Sequence, residues 1–197
     1  MVITSPIITD EIPLKLWTRE EYYRLEEMDI LTSDEPVELI NGQIIKKHRP
    51  QSTLHAFSIR RLLQILKNTL GNRVLVTSQI PITLNNYSEP KPDIAVVKVD
   101  SRDYFDHHPY SEDIYLIVEI ADKTLNKDCN LKAQIYAEAG ISDYWVLDIN
   151  NRQLYVFRQP TNQGYRSRQI LLEDEEISLL NFPDVRILIK ELLPPNE

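Results

Sequence analysis

Three carboxylates and one lysine carry the chemistry this sequence can do. Glu119 sits inside an apolar strand, Y-L-I-V-E-I-A over 115–121. Asp93 opens a second short strand after Pro92, in P-D-I-A-V-V. Glu38 lies between Val37 and Leu39 at the start of a hairpin. Lys132 has Asp128 four residues before it and Tyr136 four residues after, so a helix places all three along one stripe. Acids at a strand start and inside an apolar strand, with a lysine nearby, are the ingredients of a divalent-metal phosphodiesterase site. Carboxylates hold the hard cation, and the lysine positions the attacking water or stabilises the phosphate charge.

Each of these residues also has a plainer role. A carboxylate inside a strand that is apolar on both faces is costly unless a cation or several donors meet it, so Glu119 reads as a metal ligand or half of a buried salt bridge. Asp93 alone would be a turn or cap residue. It gains meaning if the Ile94–Val97 strand neighbours Leu116–Ile120 and the two carboxylates converge. Glu38 is either a further metal ligand, direct or through water, or a cross-strand partner of Lys46 or Lys47. Lys132 either serves the site or pairs with Asp128 on the surface. His55, near a helix start, and Gln79, before Ile80-Pro81, are candidates for substrate phosphate or metal-bound water. Tyr136, Tyr144 and Trp145 read as core or as site wall, and Tyr136 is also a candidate for substrate contact.

Local signals then place these residues on elements. Thr18 and Glu21 form a capping box for a helix to about Met28, with Trp17 and Tyr22 as a hydrophobic staple. Asn41-Gly42 between two β-rich arms predicts a two-residue type I′ hairpin. A helix is expected from about Ser52 to Leu70, closed by Gly71, with Ile59, Leu62, Leu63, Leu66 and Leu70 as its apolar stripe. Strands follow at Arg73–Ser78, extending through Ile80–Leu84, and at Asp93–Val99. After a polar loop over 100–113 come a strand at Ile114–Ile120, a helix over about Asp128–Ala139 closed by Gly140, and a strand at Tyr144–Asp148. The strand Gln153–Arg158, a turn at Asn162–Gly164 and the strand Tyr165–Leu171 complete the sheet. Pro183 precedes a terminal stretch, helical or strand-like. The pattern predicts an α/β fold with a mixed sheet, in one domain over 17–193 preceded by an extended arm over 1–16.

Composition sets the outer bounds. At 197 residues, 42% hydrophobic and 26% charged, the chain fits one globular domain. No apolar run approaches the roughly 20 residues of a membrane span. The first residues lack both the basic region and the long apolar core of a secretory signal, so no membrane and a cytoplasmic location are the expectations. Cys129, the single cysteine, excludes an intrachain disulfide and a multi-cysteine zinc cluster. The four glycines make neither a dinucleotide nor a P-loop pattern. Net charge is −8, yet the stretch from Leu39 to Ser88 has no acid and carries Lys46, Lys47, Arg49, Arg60, Arg61, Lys67 and Arg73. A basic face on an acidic protein is compatible with phosphate binding, and equally with a solvated helix face.

Taken together, E-L-I-N-G-Q-I with the later His55, then Pro92-Asp93, V-E-I-A-D, and D-x-x-x-K-x-x-x-Y-A-x-A-G-I-x-x-Y-W-V-x-D from Asp128 to Asp148 have a known counterpart. From about Trp17 to Ile189 the chain resembles the Uma-two (Uma2) family of bacterial endonucleases, within the restriction-endonuclease-like PD-(D/E)XK nuclease superfamily. That resemblance implies a restriction-endonuclease-like mixed β-sheet flanked by helices, magnesium as cofactor with manganese as substitute, and DNA as substrate. It implies Asp93 and Glu119 as the paired metal carboxylates and Glu38 as the additional acid. The superfamily lysine belongs two residues after the second acid, where this chain has Ala121. Lys132 matches the family's helix lysine, while Lys123 and Lys127 lie nearer in sequence. The expected function is a magnesium-dependent DNA endonuclease, with a homodimer among the open arrangements. Two other readings stay open: a catalytically inactive nuclease-like module binding nucleic acid or a protein partner, and a small-phosphoester hydrolase with a closed pocket.

Overall fold

The computed structural model describes residues 13–32, 35–47 and 52–195. Most of the expected arm over 1–16, and Arg49 of the basic stretch, lie outside the described residues.

Helix α1 (Arg19–Glu27) starts as its capping box dictates: the Thr18 side chain accepts from the Glu21 N–H, and Glu21 reaches back to the Thr18 N–H. Trp17 and Tyr22 pack in one cluster with Val37 and Leu39. Strands β1 (Val37–Ile40) and β2 (Gln43–Lys46) pair with Ile40 opposite Gln43, so Asn41 and Gly42 are the whole turn. Their φ values of 48° and 72° are those of a type I′ turn. Gly42 is required twice over, because a Cβ there would also stand 2.6 Å from Leu16 Cβ. Gly42→Ala is expected to cost about 1–2 kcal/mol, read as a lower thermal midpoint.

Helix α2 (Thr53–Leu70) is capped by Ser52, which accepts from the His55 N–H, and ends at Gly71 with φ 57°. Its buried stripe is Ile59, Leu62, Ile65, Leu66 and Leu70; Leu63 is only partly buried and Ile65 takes its place. The main sheet runs β3 (Leu75–Thr77), β4 (Ile94–Val97), β5 (Ile114–Ala121), β6 (Asp143–Asp148), β7 (Gln153–Thr161) and β8 (Gly164–Leu172), in that spatial order. Only β5 and β6 pair in parallel, and the connection between them carries the helical segment expected there.

That segment starts earlier and is less regular than the spacing predicts. Helix α3 (Leu125–Lys127) passes through a π turn over Asp128–Lys132 into α4 (Ala133–Glu138). The expected extension of β3 through Ile80–Leu84 does not form. Gln79 adopts φ 57°, which turns the chain out of the sheet, and Ile82 donates instead to the Pro90 carbonyl. The terminal stretch is a hairpin of β9 (Glu176–Leu179) and β10 (Phe182–Leu188).

The two faces of the sheet bury different partners. Ile94, Val96, Leu116, Val118, Ile120, Trp145 and Leu147 pack with α2 and the β9–β10 hairpin. Ala95, Val97, Ile117, Ala121, Tyr144 and Val146 pack with α4, Ile40 of β1 and Ile82. By strand alternation Glu119 belongs to the second face, between Ile117 and Ala121.

Candidate active site

Asp93 and Glu119 become neighbours through sheet register. In the antiparallel β4–β5 ladder Ile94 is opposite Val118, so one step further brings Asp93 opposite Glu119, on the same face. The Asp93 carboxylate is 5% exposed and well held. Its Oδ2 accepts from the Ile120 N–H at 2.9 Å and from His55 Nε2 at 3.0 Å, and its Oδ1 accepts from Gln79 Nε2 at 3.3 Å. His55 arrives from the first turn of α2, and Gln79 from the left-handed turn that ends β3.

Glu119 is met from the helix. Its Oε1 accepts from Lys132 Nζ at 2.7 Å and from Tyr136 OH at 2.8 Å. The π turn sets this geometry. Lys132 closes it and Tyr136 lies one α-helical turn later, so both side chains reach the same oxygen. Asp128, at the start of the π turn, does not join them at Glu119; it accepts from Thr124 Oγ1 instead. The surface pair of Asp128 and Lys132 is not what forms, because both residues are buried.

Glu38, fully buried in β1, is surrounded by lysines from elsewhere. Oε1 accepts from Lys127 Nζ at 2.9 Å; Oε2 lies 3.3 Å from Lys132 Nζ and 3.3 Å from the Lys91 N–H. Neither Lys46 nor Lys47 is its direct partner, since β1–β2 register sets Ile45 opposite Glu38. Ala121, at the usual lysine position, packs among apolar side chains, and the ammonium beside Glu119 comes from the helix.

The three residues considered for substrate contact therefore hold the carboxylates: His55 and Gln79 on Asp93, Tyr136 on Glu119. The sequence offers Lys127 only as an alternative to Lys132 and Lys47 only as a cross-strand partner of Glu38 or part of the basic stretch; Lys47 Nζ donates to the Lys91 carbonyl at 2.6 Å, close enough to the acids for its charge to act on them. Another buried acid, Glu89, is met by Arg19, Tyr23 and Thr83 and ties α1 to the segment before Asp93. Two cavities, of about 670 and 300 Å³, lie at the β7–β8 turn and beside α4, and no residue of this cluster lines them.

The electrostatics separate the acids. Burial pushes the Glu38 carboxyl up, but the charges of Lys132, Lys127 and Lys47 outweigh it and hold it at about 2. Burial likewise opposes ionisation of Asp93, and His55, Lys47 and the Ile120 N–H bring it down to about 2. Glu119 goes the other way. Burial raises it, Lys132 lowers it, and Asp93 and Asp128 raise it again, leaving it at about 7. Burial disfavours the charged Lys132, yet Glu119, Glu38 and Asp128 lift it above its ordinary range, so it stays cationic.

Opposite pH dependences follow. Glu38 and Asp93 contribute stability that is present above the ordinary carboxyl range and lost as pH falls through about 2. Glu119 binds its proton more tightly folded than unfolded, so its contribution is present below its ordinary value of 4.5 and lost as pH rises through about 7. Thermal melts in chelator are expected to peak near about pH 5, fall steeply below about pH 4 and decline gently towards pH 8. Glu119→Gln should lessen the decline on the alkaline side, leaving the part that His55 contributes, since burial pushes its imidazole down but Asp93 raises it above its ordinary value.

These groups suit a divalent cation. The β4–β5 register, continued by one residue, brings two hard carboxylates side by side, and besides burial the Asp93 charge opposes ionisation of Glu119, a repulsion a cation would relieve. Among the described residues no group of three or more His, Cys, Asp and Glu side chains stands ready to hold an ion. Two carboxylates completed by water is a usual arrangement for magnesium.

Comparison with known proteins agrees with this architecture. A family model described as "Putative restriction endonuclease" (Uma2) matches residues 19–190. The fold is similar to the crystal structure of a protein described as "a putative nuclease belonging to DUF820" from Anabaena variabilis ATCC 29413. The TM-score is 0.66 at 18% identity, over 85% of this chain and 96% of that one. No curated protein matches the chain. With the family model matching residues 19–190, most of its length, the chain belongs to the Uma2 family.

Proposed function

We propose that this protein is a magnesium-dependent DNA endonuclease, with manganese able to replace magnesium, and that Asp93 and Glu119 hold the ion. The observation that supports this reading is the β4–β5 register, which continued by one residue sets buried Asp93 beside buried Glu119, one held at about 2 and the other pushed up to about 7. The ion, when bound, supplies the Lewis acidity that lowers the pKa of a coordinated water and neutralises charge on the phosphodiester. The protein's own groups do the rest. His55, Gln79 and the Ile120 N–H fix the Asp93 carboxylate in one orientation. Tyr136 and Lys132 fix Glu119, and Lys132 presents a permanent positive charge to the charge that develops on the phosphate. Arg60, Arg61 and Lys67 are exposed on α2, whose first turn reaches Asp93, a basic surface next to the site for a polyanion.

Supercoiled plasmid incubated with the protein tests this. Nicked and linear products are expected with millimolar magnesium or manganese and none in chelator, with the thermal midpoint rising when metal is added. Salt-dependent DNA binding without cleavage in either metal would favour the inactive binding module instead. No helix among the described residues is long and apolar enough to cross a membrane.

A further inference from the structure

Glu38 was expected as a third metal carboxylate, yet its environment is that of a group whose oxygens are already engaged. Oε1 takes Lys127 at 2.9 Å, and Oε2 faces Lys132 and the Lys91 N–H, each at 3.3 Å. No described carboxylate or imidazole completes a three-residue ligand group around it. The two lysines it gathers are unlike each other. Lys132 is 2% exposed and shared with Glu119, so it cannot leave without stranding two buried acids. Lys127 has 28% of its side chain exposed, and among the described residues its ammonium has one polar partner, the Glu38 oxygen.

Building on the metal-dependent nuclease reading, we infer that Glu38 is a positioning residue for two lysines and not a metal ligand, and that Lys127 is the group it presents to a phosphate of the bound DNA strand. The Lys127 ammonium is the partly exposed one, and it can pass from the Glu38 oxygen to a phosphodiester oxygen while Lys132 and the Lys91 N–H stay on the buried acid. Lys132, fully enclosed, keeps its place while this happens. Glu38 thus divides the labour: a fixed charge beside Glu119 and a movable one open to solvent, both oriented by one acid from β1.

Lysine acetylation followed by mass spectrometry tests this on the wild-type protein, with exposed Lys190 as the internal reference. Manganese alone, at a concentration shown by calorimetry to saturate, is expected to leave the Lys127 rate unchanged. A short DNA duplex in calcium is expected to slow it by roughly threefold or more. If manganese raises the Lys127 rate severalfold, Glu38 has left the lysine for the ion and the inference is overturned; an unchanged rate with duplex overturns the phosphate contact. Should the wild type bind no manganese at all, the metal reading fails by itself, and Glu38→Gln then decides the present point. In that variant, shown folded by circular dichroism, Lys127 should acetylate roughly threefold faster. An unchanged rate there means Glu38 does not hold it. If Glu38→Gln does not fold, Glu38→Asp takes its place: its shorter side chain should also speed Lys127, and an unchanged rate counts against the inference in the same way.

Discussion

Asp93→Asn and Glu119→Gln are each expected to reduce DNA cleavage in magnesium or manganese by at least about 100-fold, because each keeps the side chain's size and removes charge that holds the ion. Their effects on stability should differ, which separates a lost ligand from a damaged fold. Asp93 ionises far below the usual carboxylate range because the folded state favours its charge. Neutralising it at pH 7.5 forfeits that preference, about 2 kcal/mol, and with the amide oxygen kept on His55 and the Ile120 N–H the amide nitrogen is turned towards the Gln79 side chain. Glu119 is a carboxylate the fold would rather keep protonated, so Glu119→Gln costs less, and Lys132 retains Glu38 as partner. Melting at pH 7.5 without metal should therefore rank wild type and Glu119→Gln close together, with Asp93→Asn below both. Equal cleavage by either variant and the parent would remove the two-carboxylate site altogether.

Lys132→Ala is expected to have the largest effect on stability. The ammonium is buried between Glu119 and Glu38, and its removal strands both. Breaking a buried pair from one side costs about 3–5 kcal/mol. At about 2–4 °C per kcal/mol for a chain of this size, the thermal midpoint should fall by roughly 6–20 °C. Cleavage should fall as well, by about 100-fold or more, since a fixed positive charge near the phosphate is lost. Manganese affinity, measured by calorimetry below the melting range, should be retained, because the lysine is not a ligand and its removal leaves the acids more negative. If Lys132→Ala cleaves as well as the parent while Lys127→Ala or Lys123→Ala does not, the essential lysine is elsewhere. Lys123 is exposed and Lys127 touches Glu38, so of the two only Lys127 has the geometry to replace it.

Much of this protein was legible in its sequence because the relevant interactions are local. Thr18 and Glu21 are three residues apart, Asn41 and Gly42 are adjacent, and Ser52 caps a helix that Gly71 ends; each signal is complete within one turn of chain. The pairing of the Ile94–Val97 strand with the strand that carries Glu119 was legible for a related reason. A carboxylate in an apolar strand needs a partner, and two short apolar strands joined by a polar loop readily pair.

The partners of those acids are a different matter. His55 and Gln79 come to Asp93 from 38 and 14 residues away, and Lys127 comes to Glu38 from 89. Such distances are set by which face of the sheet each element covers, and no spacing rule encodes that. Helical periodicity placed Asp128 on the same stripe as Lys132 and Tyr136, but the π turn breaks that period and sends Asp128 to Thr124. Glu38 sits between apolar residues in every reading, yet only the packing of β1 and its hairpin against the helical crossover decides that lysines meet it there. Residue types and local period determined the elements and the acids; burial and register, which join distant segments in one low-dielectric space, decided which charges hold which.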